Sequence, residues 1–203
     1  MDGTLSDSAI LTLEALNRIA PNYELPVPSI DAIRRATGNA NPEFYYILFP
    51  EFDRDLVRNV GLLVEKEEQK ILPLLCGKLL FEGCLELLMR LKENAIRICL
   101  ASTGDNDHVF SILKTTEIIG FFDTILCGRP DKTEMLREII DGSDKAGCLM
   151  VGDMKKDYDA ARANGIVSIG ACYGYCVKET SSFDFYIHAP LDLFSVINTL
   201  SPC

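Results

Sequence analysis

Apolar residues fall into two textures along this chain. From residue 96 onward, short apolar runs alternate with amphipathic stretches. The runs are 96–101 (IRICLA), 122–126 (FDTIL), 147–151 (GCLMV) and 166–169 (IVSI), with 184–187 (DFYI) as a fifth candidate. Each is strand-length and bounded by Gly, Asp, Ser or Asn, as buried parallel strands tend to be. Helical patterns lie between them. Cys84, Leu87, Leu88 and Leu91 fall at i, i+3, i+4 and i+7, one apolar stripe ahead of the first run. Met135, Leu136, Ile139 and Ile140 make another. Residues 157–164 read as a helix that stops at Gly165, which tolerates the left-handed C-terminal position. Strand and helix in this alternation predict a parallel sheet with helices on its faces.

The stretch from about residue 8 to 73 has helical periodicity and no convincing strand. Ile10, Leu13, Leu16 and Ile19 share one face, and Asp7 or Ser8 is placed to cap that helix. Pro21, Pro26 and Pro28 break it; Ser29 with Asp31 restarts one; 44–49 and 53–71 continue helical around Pro50. The predicted organisation is an α/β core of residues 1–7 and 76–203 with an all-helical insert at 8–75. No internal repeat or low-complexity segment interrupts it.

Composition narrows the function classes. The 203 residues carry 30 acidic and 20 basic side chains, a formal charge of −10. That balance argues against nucleic acid or an anionic membrane surface as partner, since both need clustered Lys and Arg. No apolar run approaches the ~18 residues of a membrane helix, and the start MDGTLSDS has neither the basic nor the apolar region of a signal peptide. The expectation is a cytoplasmic protein, monomer or homodimer, acting on a small metabolite. The eight cysteines include no CxxC pair, and only His108 and His188 accompany them, which argues against zinc. They read as reduced thiols, with Cys99 and Cys148 inside apolar runs.

Four short segments lie at or just after the ends of strand-like runs, the edge where open α/β sheets bind ligands. Asp2-Gly3-Thr4-Leu5 opens the chain and taken alone reads as a turn, Asp-Gly being a common turn dipeptide. Ser102-Thr103-Gly104 ends the first run, as a helix cap or as hydroxyl and N–H groups for a phosphate. Lys132 stands at a helix start, where the dipole disfavours a cation, so either solvent or a function accounts for it. Val151-Gly152-Asp153-Met154-Lys155-Lys156-Asp157 sets two carboxylates four residues apart. They serve either a helix dipole or a hard cation such as Mg²⁺.

The order of these segments resembles the motif order of the haloacid-dehalogenase superfamily, in its phosphoglycolate-phosphatase-like branch with a helical cap. Phe81-Glu82-Gly83, the helix around Leu87–Leu91, Gly120-Phe121-Phe122-Asp123 and Tyr173-Gly174-Tyr175 are similar to further family segments. The resemblance spans essentially the whole chain. It implies a Rossmann-like core under the cap and a Mg²⁺-dependent phosphatase working through an aspartyl-phosphate. In that scheme Asp2 is the general acid/base, and Lys132 neutralises charge on phosphate and nucleophile. Gly3, Thr4, Ser102 and Thr103 hold phosphate oxygens. Asp2 (by its carbonyl), Asp153 and Asp157 hold the metal. Arg34, Arg35, Thr37 and Gly38 of the insert are candidates for substrate contact.

The first family motif is apolar-Asp-x-Asp-Gly-Thr. Asp2 matches its second Asp, so the nucleophile and the central strand before it would precede Met1. The expectation is a true start upstream, or a truncation, and an inactive chain as it stands. A non-catalytic phosphate-binding relative and a phosphosugar mutase stay open as alternatives. The substrate, whether phosphoglycolate, nucleotide or sugar phosphate, is not specified by these motifs.

Overall fold

The structure is a computed structural model, describing residues 1–175 and 182–200 apart from the side chain of Cys76. The insert is helical throughout: α1 (Ala9–Ile19), α2 (Ile30–Ala36), α3 (Glu43–Leu48) and α4 (Arg54–Leu79). Leu11, Ala15 and Leu16 of α1 are buried, as are Val57, Val60 and Val64 of α4, the two helices that pack most extensively in the insert. Ser29 caps α2 by accepting from Ala32 N–H at 3.2 Å, and Asp53 caps α4 through Leu56 N–H at 2.9 Å.

The remaining elements alternate: α5 (Cys84–Glu93), β1 (Cys99–Ala101), α6 (Asn106–Thr115), β2 (Thr124–Leu126), α7 (Lys132–Ile140), β3 (Leu149–Gly152), α8 (Lys155–Asn164), β4 (Val167–Ala171), β5 (Phe185–Ile187) and α9 (Leu193–Leu200). All the strand pairings are parallel. The architecture is the expected α/β one, a parallel-strand core with a helical insert.

The strands do not form one sheet. β1 pairs with β2, and β3–β4–β5 form a separate ladder. Between them lies a cavity of about 520 Å³, lined by all of β1, by Leu149, Met150 and Val151 of β3, and by apolar residues of α5, α7 and α9. This gap explains why most of β3 is only half-buried, where a continuous buried strand was predicted; β2 is half-buried too, but as the outer strand of its ladder and not as part of the gap's lining. The core divides accordingly: Leu136, Ile139, Ile140, Ala160, Ala161 and Ile166 form their own cluster under α7 and α8. Among the described residues, no helix is long and apolar enough to cross a membrane.

Candidate active site

The C-terminal ends of β1 and β3 and the start of the chain open onto one cavity of about 310 Å³ under the insert. Its lining includes Asp2, Ser102, Thr103, Lys132, Asp153 and Asp157 from the core side, and Thr37 and Gly38 from the insert. The DGTL segment is a tight turn: the carbonyl of Met1 accepts from the N–H groups of Thr4, Leu5 and Ser6 at 3.1, 2.8 and 3.2 Å. Gly3 holds φ +74°, and a Cβ there would stand 2.1 Å from Asp153 Oδ2, so only glycine fits.

Asp153 follows β3 and is 1% exposed. Thr4 Oγ1 donates to its Oδ1 at 2.9 Å and Tyr175 N–H to its Oδ2 at 3.0 Å. Burial, and then the neighbouring Asp157, push its carboxyl up to about 6. Asp157, on the first turn of α8, accepts from Met154 N–H at 3.0 Å and from Lys132 Nζ at 2.5 Å. Burial pushes Asp157 up, but the Lys132 ammonium outweighs it and the net shift is downward. Lys132 therefore sits at a helix start because a carboxylate across the sheet edge holds it there. Ser102 is buried, and its hydroxyl accepts from Gly104 N–H at 3.2 Å.

Asp2 turns its carboxylate to His108, Oδ1 to Nε2 at 3.2 Å. Burial would raise Asp2, and the imidazole overrides it, holding the carboxyl well below the usual range. Burial would lower His108; Asp2 overrides it, with Glu68 and Asp105 adding, and the imidazole is raised to about 9. His108 carried no motif in the sequence. The available signal was its rarity and its place in the first turn of the helix after Ser102, from which a long side chain points back toward the strand ends.

Some candidates lie elsewhere. Gly3 and Thr4 do not line this cavity; their N–H groups are used within the turn, by Ser6 O at 2.9 Å and Met1 O. Arg34 grips Asp7 through Nε at 3.3 Å and a terminal nitrogen at 2.5 Å, and Arg35 is exposed; neither lines the cavity. The predicted caps of α1 differ too. Asp7 is held by Arg34, the Ser8 hydroxyl makes no cap bond, and the N–H of Ala9 instead meets Tyr175 Oη at 3.0 Å. Tyr173 and Tyr175 thus tie the distal loop to the first turn, the former donating to Thr4 O at 2.9 Å.

The donor set suits a hard cation. Each oxygen of Asp153 takes one protein hydrogen bond and keeps a lone pair, and Asp157 adds a second buried carboxylate beside it. Among the described residues no three acid, thiol or imidazole groups converge into a full cage. Mg²⁺ does not need one, since it keeps waters and takes substrate phosphate oxygens alongside one or two carboxylates.

Residues 1–171 match the family described as haloacid dehalogenase-like hydrolase, and the chain belongs to that family. A phosphoglycolate phosphatase of Synechococcus elongatus is 23% identical, covering 98% of this chain and 95% of its own. One of Nitrosospira multiformis is 27% identical, covering 86% and 82%. Among solved structures, a haloacid dehalogenase-like family hydrolase of Streptococcus pneumoniae has a TM-score of 0.76 at 22% identity, over 97% of this chain and 94% of that one. A predicted phosphoglycolate phosphatase of Haemophilus somnus has a TM-score of 0.83 at 20% identity, over 97% and 94%. These structural likenesses establish the fold.

Proposed function

We propose that the chain is a Mg²⁺-dependent phosphatase of a small phosphomonoester, working through an aspartyl-phosphate. The meeting of Asp2, Ser102, Lys132, Asp153 and Asp157 on one cavity carries this reading. The nucleophile is an Asp at the position before Met1, outside these 203 residues. Its carboxylate attacks phosphorus in line, the bond to the leaving oxygen breaks, and that oxygen takes a proton from Asp2. The Asp2–His108 pair holds one proton at neutral pH, resting on His108 and reaching the leaving oxygen through Asp2. Asp2 then takes a proton from the water that attacks phosphorus and frees the carboxylate. Ser102 and Thr103 meet phosphate oxygens, and Lys132, already beside Asp157, turns its charge to the phosphate. Asp153, Asp157 and the Asp2 carbonyl would hold Mg²⁺, whose charge would offset the repulsion between the phosphate dianion and its carboxylate attacker.

Metal binding is testable without turnover. A ligand that binds only the folded state raises the melting temperature. Mg²⁺ in excess should therefore stabilise the wild-type chain in a thermal melt at neutral pH, and Asp153→Asn should lose that response. An equal Mg²⁺ shift in both proteins would remove Asp153 from the metal site.

A further inference from the structure

The cavity has two chemically different ends. The core end carries Lys132 and Ser102. The insert closes the other end with Thr12, Phe44, Tyr45, Asn41 and Glu68. Glu68 projects from α4 and is 8% exposed. Thr12 Oγ1 donates to its Oε1 at 2.6 Å and fixes the carboxylate. Among the described residues, none donates to its Oε2. Asn41 has its amide nitrogen on Glu65 at 2.6 Å.

The cations on the lining are engaged elsewhere. Lys132 holds Asp157, His108 holds Asp2, and the Lys156 ammonium donates to Gly38 O at 2.6 Å, at the lip. Arg34, which α2 could have offered to the cavity, is pinned to Asp7. The described insert wall thus presents a fixed carboxylate with an open oxygen and no cation committed to a substrate.

We propose that this wall selects a phosphomonoester whose leaving group presents a hydrogen-bond donor, a hydroxyl or an ammonium, and carries no carboxylate, with Glu68 receiving that donor. The proposal rests on the phosphatase reading above and narrows its substrate class. A carboxylate on the leaving group would face Glu68 at a wall where burial already raises the Glu68 carboxyl, so a second negative charge beside it is disfavoured. It would also leave Oε2 without a partner. A hydroxyl or ammonium supplies that partner, and a site built around a buried acceptor rejects analogues that cannot donate to it.

Titration calorimetry of the full chain with Mg²⁺ tests this using inorganic phosphate, glycerol 3-phosphate, phosphoethanolamine and 2-phosphoglycolate. Inorganic phosphate should bind. Glycerol 3-phosphate or phosphoethanolamine should bind at least about tenfold tighter than 2-phosphoglycolate, and whichever leads identifies the donor as hydroxyl or ammonium. Glu68→Gln, which removes the charge and keeps the shape, should shrink that ratio to within about threefold. Failure of inorganic phosphate to bind would overturn the phosphatase reading and the proposal with it. Phosphate binding with 2-phosphoglycolate equal to or tighter than the other esters would overturn the proposal alone. The wild-type ratio decides this even if the variant does not fold.

Discussion

The Asp2–His108 contact shows how one residue sets the chemistry of another. Raised to about 9 from an ordinary 6.5, His108 binds its proton more tightly in the folded chain than in the unfolded one. That linkage stabilises the fold fully below about pH 6.5 and fades as pH rises through about 9. At the acid end Asp2 gives the complementary effect: its depressed carboxyl stabilises above its ordinary 3.8, and the contribution is lost as pH falls below that. A quarter of the His108 side chain reaches solvent, so water screens part of the attraction. His108→Asn should cost on the order of 1–2 kcal/mol at about pH 6, shrinking toward zero near pH 9.5. Urea denaturation at both values measures this, and a pH-independent loss would assign His108 to packing instead.

At the scale of elements, the strands and most helices were legible because their apolar periodicities are strong. The runs at 96–101, 122–126, 147–151, 166–169 and 184–187 each contain or overlap a strand. What was hidden depends on partners distant in sequence. α6 and α9 were not traced as helices, although Asp105 caps α6 by accepting from His108 N–H at 2.9 Å, and α4 runs through Pro73 to Leu79, with Ile71, Leu72 and Leu79 buried. The N-terminus of α1 is met by Tyr175, which no local pattern could reveal. For the candidate site, the motif order singled out Asp2, Ser102, Lys132, Asp153 and Asp157, which line one cavity, while His108 and Glu68 on the same lining emerged only from packing. Gly174 is of the second kind. A Cβ there would lie 2.1 Å from Gly3 O and 2.5 Å from the Asp153 Cβ, so the first turn, β3 and the distal loop close on it together. Gly174→Ala should destabilise by about 1–3 kcal/mol, because backbone and not a flexible side chain blocks the methyl, and should weaken the Mg²⁺ response. Gly147→Ala, with open space around its Cβ, is the control expected to be neutral. Equal stability of the two variants would show that the turn can move aside.

At the scale of the molecule, the gap between the two ladders and the site chemistry point to the same place. β1 and β3 each leave an edge toward the 520 Å³ cavity, and the residues around it are apolar on the α5, α7 and α9 sides. Met1, Lys132 and Asp157 line this cavity and also the one under the insert. A strand running parallel between β1 and β3 would satisfy both edges, bury the half-exposed faces of Leu149, Met150 and Val151, and end beside Asp2. An apolar segment ending in Asp, added ahead of Met1, should therefore do two separable things. It should raise the melting temperature, by roughly 2–4 °C for each kcal/mol of added stability in a domain of this size. It should also start hydrolysis of an aryl phosphate in the presence of Mg²⁺, where the 203-residue chain is expected to give none. The same segment ending in Asn should keep the stability gain and abolish turnover, since it fills the gap without supplying a nucleophile. Equal hydrolysis by the chain with and without the added strand would mean that some residue already present, Asp2 foremost, attacks phosphorus. A stability gain without turnover from the Asp-ending chain would retain the strand and reject the proposed chemistry.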